Sequence, residues 1–214
     1  MDKWVTKLVA AASGIRTAPG LLLRRGDPYV FSAPVVVKPV ASGSSFGVAL
    51  ARSADELGPA LDAAFALDDR VLVEKVMRGR EVDLAVIRRA GGELVVSPPL
   101  EILGDGIFDV ATKYDGSARF AVPAPLTNRE RGALETAARR MVDALGCAGL
   151  ARVDFFVTDR GPVLNEVNTT PGFTPASQVP RMFAAAGLPY PELLELLAHD
   201  ALEHAEPITS NRRA

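Results

Sequence analysis

Three oxygen-bearing side chains, Asp154, Glu166 and Asn168, lie close together in the stretch Arg152–Ser177, RVDFFVTDRGPVLNEVNTTPGFTPAS. Their spacing acquires meaning only if the chain turns back on itself. Beta-branched and aromatic residues fill Ala151–Thr158 and Pro162–Thr169, and Asp159 and Gly161 lie between the two runs, which predicts a hairpin. A three-residue loop, Asp159-Arg160-Gly161 with Gly161 left-handed, would set Asp154 opposite Glu166 and Arg152 opposite Asn168. One face then carries Val153, Phe155 and Val157 against Val163 and Val167, with Asn165 its only polar member. The other carries Arg152, Asp154, Glu166 and Asn168. A slip of one residue would mix the two sets, and burial of the apolar face opposes it.

Carboxylates facing each other across a ladder repel. A hard cation between them is one resolution. Asp154, Glu166 and the Asn168 amide oxygen suit Mg²⁺, which takes few protein ligands and fills its shell with waters and phosphates. The other resolutions are a proton held by one of the two, or an ion network in which Arg152 neutralises the pair.

The elements that would position this hairpin can be read outward from it. Asp2–Ala12 reads as a helix ended by Gly14, with Lys3 and Lys7 on one face. Pro34–Val40, PVVVKPV, is a buried-strand pattern interrupted by Lys38, and an unpaired ammonium there would be costly. The loop 42–47, SGSSFG, follows, then a strand at Val48–Arg52. Small residues let backbone N–H groups converge on an anion, although such a loop also serves as a plain hairpin, and no Walker A pattern occurs. Ser53-Ala-Asp-Glu56 opens a helix to about Leu67 through a capping box. Val71–Val76 is a strand, and Glu81–Arg88 another, with Glu74, Lys75 and Glu81 flanking the turn between them as either an edge ion pair or a ligand grip. Glu93–Leu103 is a strand-pair candidate broken by Pro98 and Pro99, and 104–117 reads as loop. Thr127-Asn-Arg-Glu130 caps a long helix to about Leu145. Pro191–Glu203 forms the last helix.

Taken together, these strings resemble the D-alanine–D-alanine ligases, members of the ATP-grasp superfamily. The resemblance rests on Arg152-Val-Asp154, on Asn165-Glu166-Val-Asn168-Thr-Thr-Pro-Gly172, on V-K-P-x-x-x-G-S-S-x-G from Val37, and on L-V-E-K-x-x-x-G-x-E from Leu72. It runs from Met1 to about Leu202 with the motifs in family order. It implies an α+β ATP-grasp fold, in which two subdomains with mainly antiparallel sheets, 1–76 and 77–214, grip ATP between them. Further implications are ATP-dependent joining of two amino acids through an acyl phosphate, a place in peptidoglycan biosynthesis, and two Mg²⁺ ions (or Mn²⁺) on Asp154, Glu166 and Asn168.

The other roles it implies follow residue by residue. Lys3, Lys38, Ser45, Asn165 and Lys113 belong to the nucleotide site, the three lysines on its phosphates. Glu74 and backbone groups of Lys75, Val76 and Met77 read adenine, and Glu81 accepts from ribose. Arg152 stabilises the developing oxyanion. Ser44 touches the first amino acid, Tyr114 lies on the closing loop, and Gly172 with Ser177 holds the second substrate's carboxylate. Family members carry a further N-terminal domain that grips the first amino acid. Its part here could belong to a longer chain, be replaced in a short ligase with another substrate, or come from a partner chain or homo-oligomer.

Composition limits the alternatives. A formal charge of −2 on 214 residues gives no electrostatic case for nucleic acid or an anionic membrane. No secretory leader or membrane-length apolar run is apparent. The single Cys147 suits a buried structural thiol in a reducing, cytoplasmic compartment, and with only His199 and His204 available, Ser-His and Cys-His mechanisms have little support.

Overall fold

The structure, a computed structural model, describes residues 1–43, 45–104 and 119–204. Its elements in order are α1 (Lys3–Ala12), β1 (Gly20–Arg24), β2 (Val35–Pro39), β3 (Ala49–Ala51), α2 (Ala54–Phe65), β4 (Arg70–Lys75), β5 (Arg80–Arg88), β6 (Leu94–Val96), β7 (Leu100–Leu103), β8 (Arg119–Ala121), α3 (Asn128–Ala144), β9 (Gly149–Thr158), β10 (Gly161–Asn168), α4 (Gln178–Ala184) and α5 (Tyr190–His204). The strands form two sheets. The first has the order β1-β4-β2-β3, and the second runs β10-β9-β5-β7-β8, with β6 also paired to β5. Every named strand pair is antiparallel.

In the first sheet one face is apolar. Leu23, Val35, Val37, Ala51, Val71 and Val73 pack against Leu57, Ala60 and Ala64 of α2. Ser53 caps that helix by accepting from Glu56 N–H. Strand alternation turns Val36, Lys38, Leu72 and Glu74 to the opposite face. All four are buried, so two charged groups stand among apolar neighbours. Lys38 pairs with Leu72 and Val36 with Glu74 in the ladder. Lys38 and Glu74 are therefore diagonal partners across β2 and β4, close enough for an ion pair.

The second sheet has a core on each face. Val82, Leu84 and Val86 of β5 and Val153, Phe155 and Val157 of β9 pack beneath α3, joined by Ala10 of α1 and by Ile15. Ala85, Ile87 and Leu100 face α4 and α5 through Val179, Met182, Phe183 and Leu193. The same face of β5, β9 and β10 carries Asp83, Asp154 and Glu166, in register across three strands.

The hairpin reaches that register by a route other than the expected one. Thr158 pairs with Gly161, so the loop is Asp159-Arg160 and has two residues, with Gly161 at φ +97°. A bulge at Asn165, between Leu164 and Glu166, then shifts the ladder by one. Asp154 therefore lies opposite Glu166, and Arg152 opposite Asn168, as expected. The face assignment changes before the bulge: Leu164, not Val163, joins the core. Asn165 leaves the apolar face and accepts from Lys38 Nζ at 2.9 Å. A bulge re-aims one side chain and adds local twist. Here it turns an amide from the second sheet toward a lysine of the first.

Other expectations need smaller correction. β6 and β7 do not pair with each other; each pairs with β5. β4 lies inside its sheet, so Glu74 is not part of an edge ion pair. Cys147 is buried, as expected, and burial pushes its thiol pKa up.

One close approach sets the first sheet's packing. A Cβ on Gly20 would fall 2.7 Å from the Val73 carbonyl oxygen and 2.9 Å from Glu74 Cγ. Gly20 is the ladder partner of Glu74. Gly20→Ala must therefore displace either backbone or the buried carboxylate. It should lower stability by about 1–3 kcal/mol, measured from the urea midpoint, and an unchanged midpoint would show that β1 yields freely.

Candidate active site between the two sheets

Lys38 is the hinge between the two halves of the site. Its ammonium donates to Asn165 of the second sheet and lies 2.7 Å from Glu74 Oε2 of the first. Glu74 Oε1 is held at 2.5 Å by Lys7, which also donates to the Ala18 carbonyl. Burial alone would push the Glu74 pKa up, but the charges of Lys38 and Lys7 outweigh it and hold the carboxyl below its ordinary value. Glu74 is thus an ionised bridge between two ammonium groups, and the apolar strand tolerates Lys38 because of it.

α1 delivers the second lysine. Asp2 caps it by accepting from Val5 N–H at 2.9 Å and pairs with Arg70. Lys3 then points back toward the 42–47 loop, donating to the Ser42 carbonyl at 2.5 Å. Lys3 is mostly buried, which lowers its pKa, and the nearby charge of Lys38 acts in the same direction. A cavity of about 320 Å³ opens here, lined by Lys3, Thr6, Ser42, Gly43, Glu166 and Asn168. The Ser42 hydroxyl oxygen is buried without a hydrogen-bond partner. In the same loop Ser45 adopts φ +53°, a conformation that a non-glycine residue seldom takes and that tends to collect at ligand-binding turns.

The acid row completes the wall. Arg152 grips Asp154 with two bonds of 2.7 Å, from Nε and Nη2. Its third nitrogen, Nη1, donates to Gln178 Oε1 at 2.6 Å, and Nε lies 3.7 Å from Asp83 Oδ2. Burial disfavours the guanidinium, but the charges of Asp154 and Asp83 more than offset it and raise its pKa. Glu166 has no such clamp. Burial, then the charge of Asp154, raise its pKa, with Lys3, Lys38 and Arg152 pulling the other way. Arg152 therefore binds Asp154 directly, while burial and the charge of Asp154 favour a proton on Glu166, so the ion network expected from the sequence covers one of the two carboxylates.

The remaining expected residues fall as follows. Asn168 Oδ1 accepts from Thr170 N–H at 3.0 Å and lines the cavity. Gly172 and Ser177 come together: a Cβ on Gly172 would lie 3.3 Å from Ser177 Oγ, which accepts from Thr174 N–H. Lys75, Val76 and Met77 occupy the end of β4 and the turn into β5, and Glu81 lies near the start of β5. Ser44, Lys113 and Tyr114 lie outside the described residues. A larger groove of about 440 Å³, between Arg16 and Arg140 beside α3, is lined by no carboxylate and sits apart from these groups.

Three contributors carried no role in the sequence reading: Lys7, Asp83 and Gln178. Lys7 is one helical turn beyond Lys3, and Asp83 is two residues beyond Glu81 on one strand face, so periodicity offered a faint signal for each. Gln178 had none, because its partners are 26 and 95 residues away.

Lys7→Met tests the buried bridge. Glu74 would keep Lys38 but lose its second counter-charge, at a cost of about 3 kcal/mol at pH 7.5, the low end for breaking a buried pair. A carboxyl pKa depressed by folding stabilises above its unfolded value and loses that contribution as the pH falls through the folded value. The difference between wild type and variant in urea should therefore shrink as the pH falls through and below the ordinary carboxylate range. A difference that grows in acid would contradict an ionised Glu74.

Comparison with known proteins places this geometry. A family model described as "D-ala D-ala ligase C-terminus" matches residues 28–199. A D-alanine–D-alanine ligase of Corynebacterium urealyticum is 40% identical over 216 residues, covering 95% of this chain and 60% of the relative. The vancomycin/teicoplanin A-type resistance protein VanA of Enterococcus faecium is 43% identical over 212 residues, covering 95% and 62%. The chain thus spans about 60% of the length of the curated relatives it matches. Among solved structures, the Bacillus anthracis D-alanine–D-alanine ligase complexed with ATP superposes with a TM-score of 0.79 at 29% identity, covering 94% of this chain and 65% of that one. The VanG D-Ala:D-Ser ligase of Enterococcus faecalis gives 0.79 at 34%, covering 93% and 61%. Matched over most of its length and built on the same antiparallel α+β frame, the chain belongs to the D-alanine–D-alanine ligase C-terminal domain family and has its ATP-grasp fold.

Proposed function

We propose that this chain is the nucleotide- and metal-binding part of an ATP-dependent carboxylate–amine ligase, most like D-alanine–D-alanine ligase. One observation carries the reading: Asp154 and Glu166 meet across β9 and β10 beside a cavity whose other wall holds Lys3 and the Ser42 hydroxyl. In this reading 1–76 and 77–214 are the two ATP-grasp subdomains, and they would hold between them ATP, the ligand of the Bacillus anthracis ligase complex.

The donor set fits Mg²⁺. Glu166 offers a carboxylate on the cavity wall, Asp154 can share an oxygen, and Asn168 adds a neutral amide oxygen. Asp154, Glu166 and Asn168 would hold such ions, which would supply positive charge against the nucleotide's phosphates. Lys3 and Lys38 add positive charge, with Lys38 aimed by Glu74 and Asn165. Glu74, Lys75, Val76, Met77 and Glu81 serve base and ribose, Ser45 and the loop around it cover the phosphates, and Gly172 with Ser177 takes the second substrate's carboxylate. Ser44, Lys113 and Tyr114 keep the roles that the resemblance implies.

The reaction joins two amino acids in two balanced steps. The first substrate's carboxylate oxygen attacks the γ-phosphorus and ADP leaves, giving an acyl phosphate. The second substrate's amine then attacks the carbonyl carbon, phosphate leaves and the nitrogen loses a proton. Arg152 faces the oxygens that gain charge. Such transfers depend mainly on positioning and on preorganised charge.

Phosphate release from ATP and Mg²⁺, with D- and L-amino acids singly and in pairs, tests the reading. Amino-acid-dependent release supports it, and the stimulating pair names the substrates, D-alanine with itself or with D-serine included. ATP binding without such release would make the chain a nucleotide-binding module. Glu166→Gln should reduce turnover at least about 100-fold with an unchanged melting profile; retained turnover would remove the metal role.

A further inference from the structure

Arg152 is held from more sides than Asp154 alone requires. Asp154 binds it with two bonds, yet Gln178 takes the third guanidinium nitrogen and Asp83 approaches from the neighbouring strand. Gln178 is itself fixed, since its Nε2 donates to Asp83 Oδ2 at 3.1 Å. Asp83 is only 1% exposed and is the ladder partner of Asp154. Two buried carboxylates side by side are costly unless a shared cation lies against both. Arg152 is that cation, and Gln178 closes the ring Arg152–Gln178–Asp83.

The arrangement matters because Asp154 has two demands on it. A cation shared with Glu166 draws on the same Asp154 oxygens that the guanidinium holds. An arginine anchored only there would lose both its partner and its direction as that sharing began. A second carboxylate one strand over, with an amide spanning the gap, keeps the planar guanidinium oriented whatever Asp154 does.

We propose that Asp83 and Gln178 are positioning residues that lock the Arg152 guanidinium independently of Asp154, an assignment that rests on the ligase reading above. Neither touches the reacting atoms. Gln178 begins α4, directly after Ser177, so the lock also ties Arg152 to the segment that receives the second substrate.

Two readouts test it. The first needs no turnover: side-chain nitrogen NMR of the full chain, with the Arg152 signal identified by its loss in Arg152→Lys. In wild type this guanidinium should show slowed rotation and protected Nη protons, both with and without Mg²⁺ and ADP. In Gln178→Met and Asp83→Asn the protection should fall when Mg²⁺ and ADP are added. Protection that persists in both variants would overturn the proposal, because Asp154 alone would then suffice. Asp83→Asn alters a buried group, so Gln178→Met, at a half-buried site, decides the matter if the former does not fold. The second readout is kinetic. Each variant should lose between about 10-fold and 100-fold in kcat while KM for ATP stays within about twofold, and Gln178→Asn, whose shorter amide can reach one partner only, should fall between. A matched change in KM with kcat intact would also overturn it. Should wild type release no phosphate, the ligase reading fails while the NMR result still decides the lock.

Discussion

Three carboxylates lined up across adjacent strands, Asp83, Asp154 and Glu166, repel one another inside a sheet that water hardly reaches. The groups around them answer that repulsion. Arg152 lies between the first two; Lys3 from α1 and Lys38 from the other sheet act on the third. Coulomb energy between buried charges is large and poorly screened, so the positions of these cations are dictated rather than incidental. Asp154 is satisfied by protein alone, whereas Glu166 keeps a raised pKa despite three cations nearby. Burial and the charge of Asp154 outweigh those cations at Glu166 and favour its protonated form.

The same logic explains the first sheet. Lys38 interrupts an apolar strand, and Glu74 lies diagonal to it. Lys7 then supplies the second counter-charge from a helix that packs on the other sheet's core. Gly20 leaves the space in which the Glu74 side chain lies. Through Lys38 and the bulged Asn165 the two sheets are joined by a hydrogen bond at the site itself. Any shift of one sheet against the other changes the setting of that lysine. The two sheets are therefore tied at the site by short polar contacts.

Much of this was readable from residue types. Alternating β-branched and aromatic runs around a turn define the hairpin, and burial of one face leaves Asp154 against Glu166. The Ser53 and Thr127 strings mark helix starts, and both side chains accept from the third residue on; only Thr127 closes the full box, because Glu56 accepts from Arg52 N–H instead of Ser53. Such signals are local: they depend on a neighbour's hydrogen bond or on a period of 2 or 3.6 residues, so sequence order carries them.

The tertiary structure decided what local order could not. A bulge and a shorter loop give the same pairing at Asp154 as a plain three-residue loop would, so pattern alone cannot separate them; only the ladder reveals that Asn165 turns toward Lys38. Partners far apart in the chain are likewise silent in it: Lys7 with Glu74, Gln178 with Asp83 and Arg152. Sequence by itself determined the main strands, the pairing of Asp154 with Glu166 and the family, because hydrophobic period and motif order are written along the chain. The direction of each charge, and which carboxylate Arg152 binds, came only from folding, because electrostatic balance is a sum over neighbours in space.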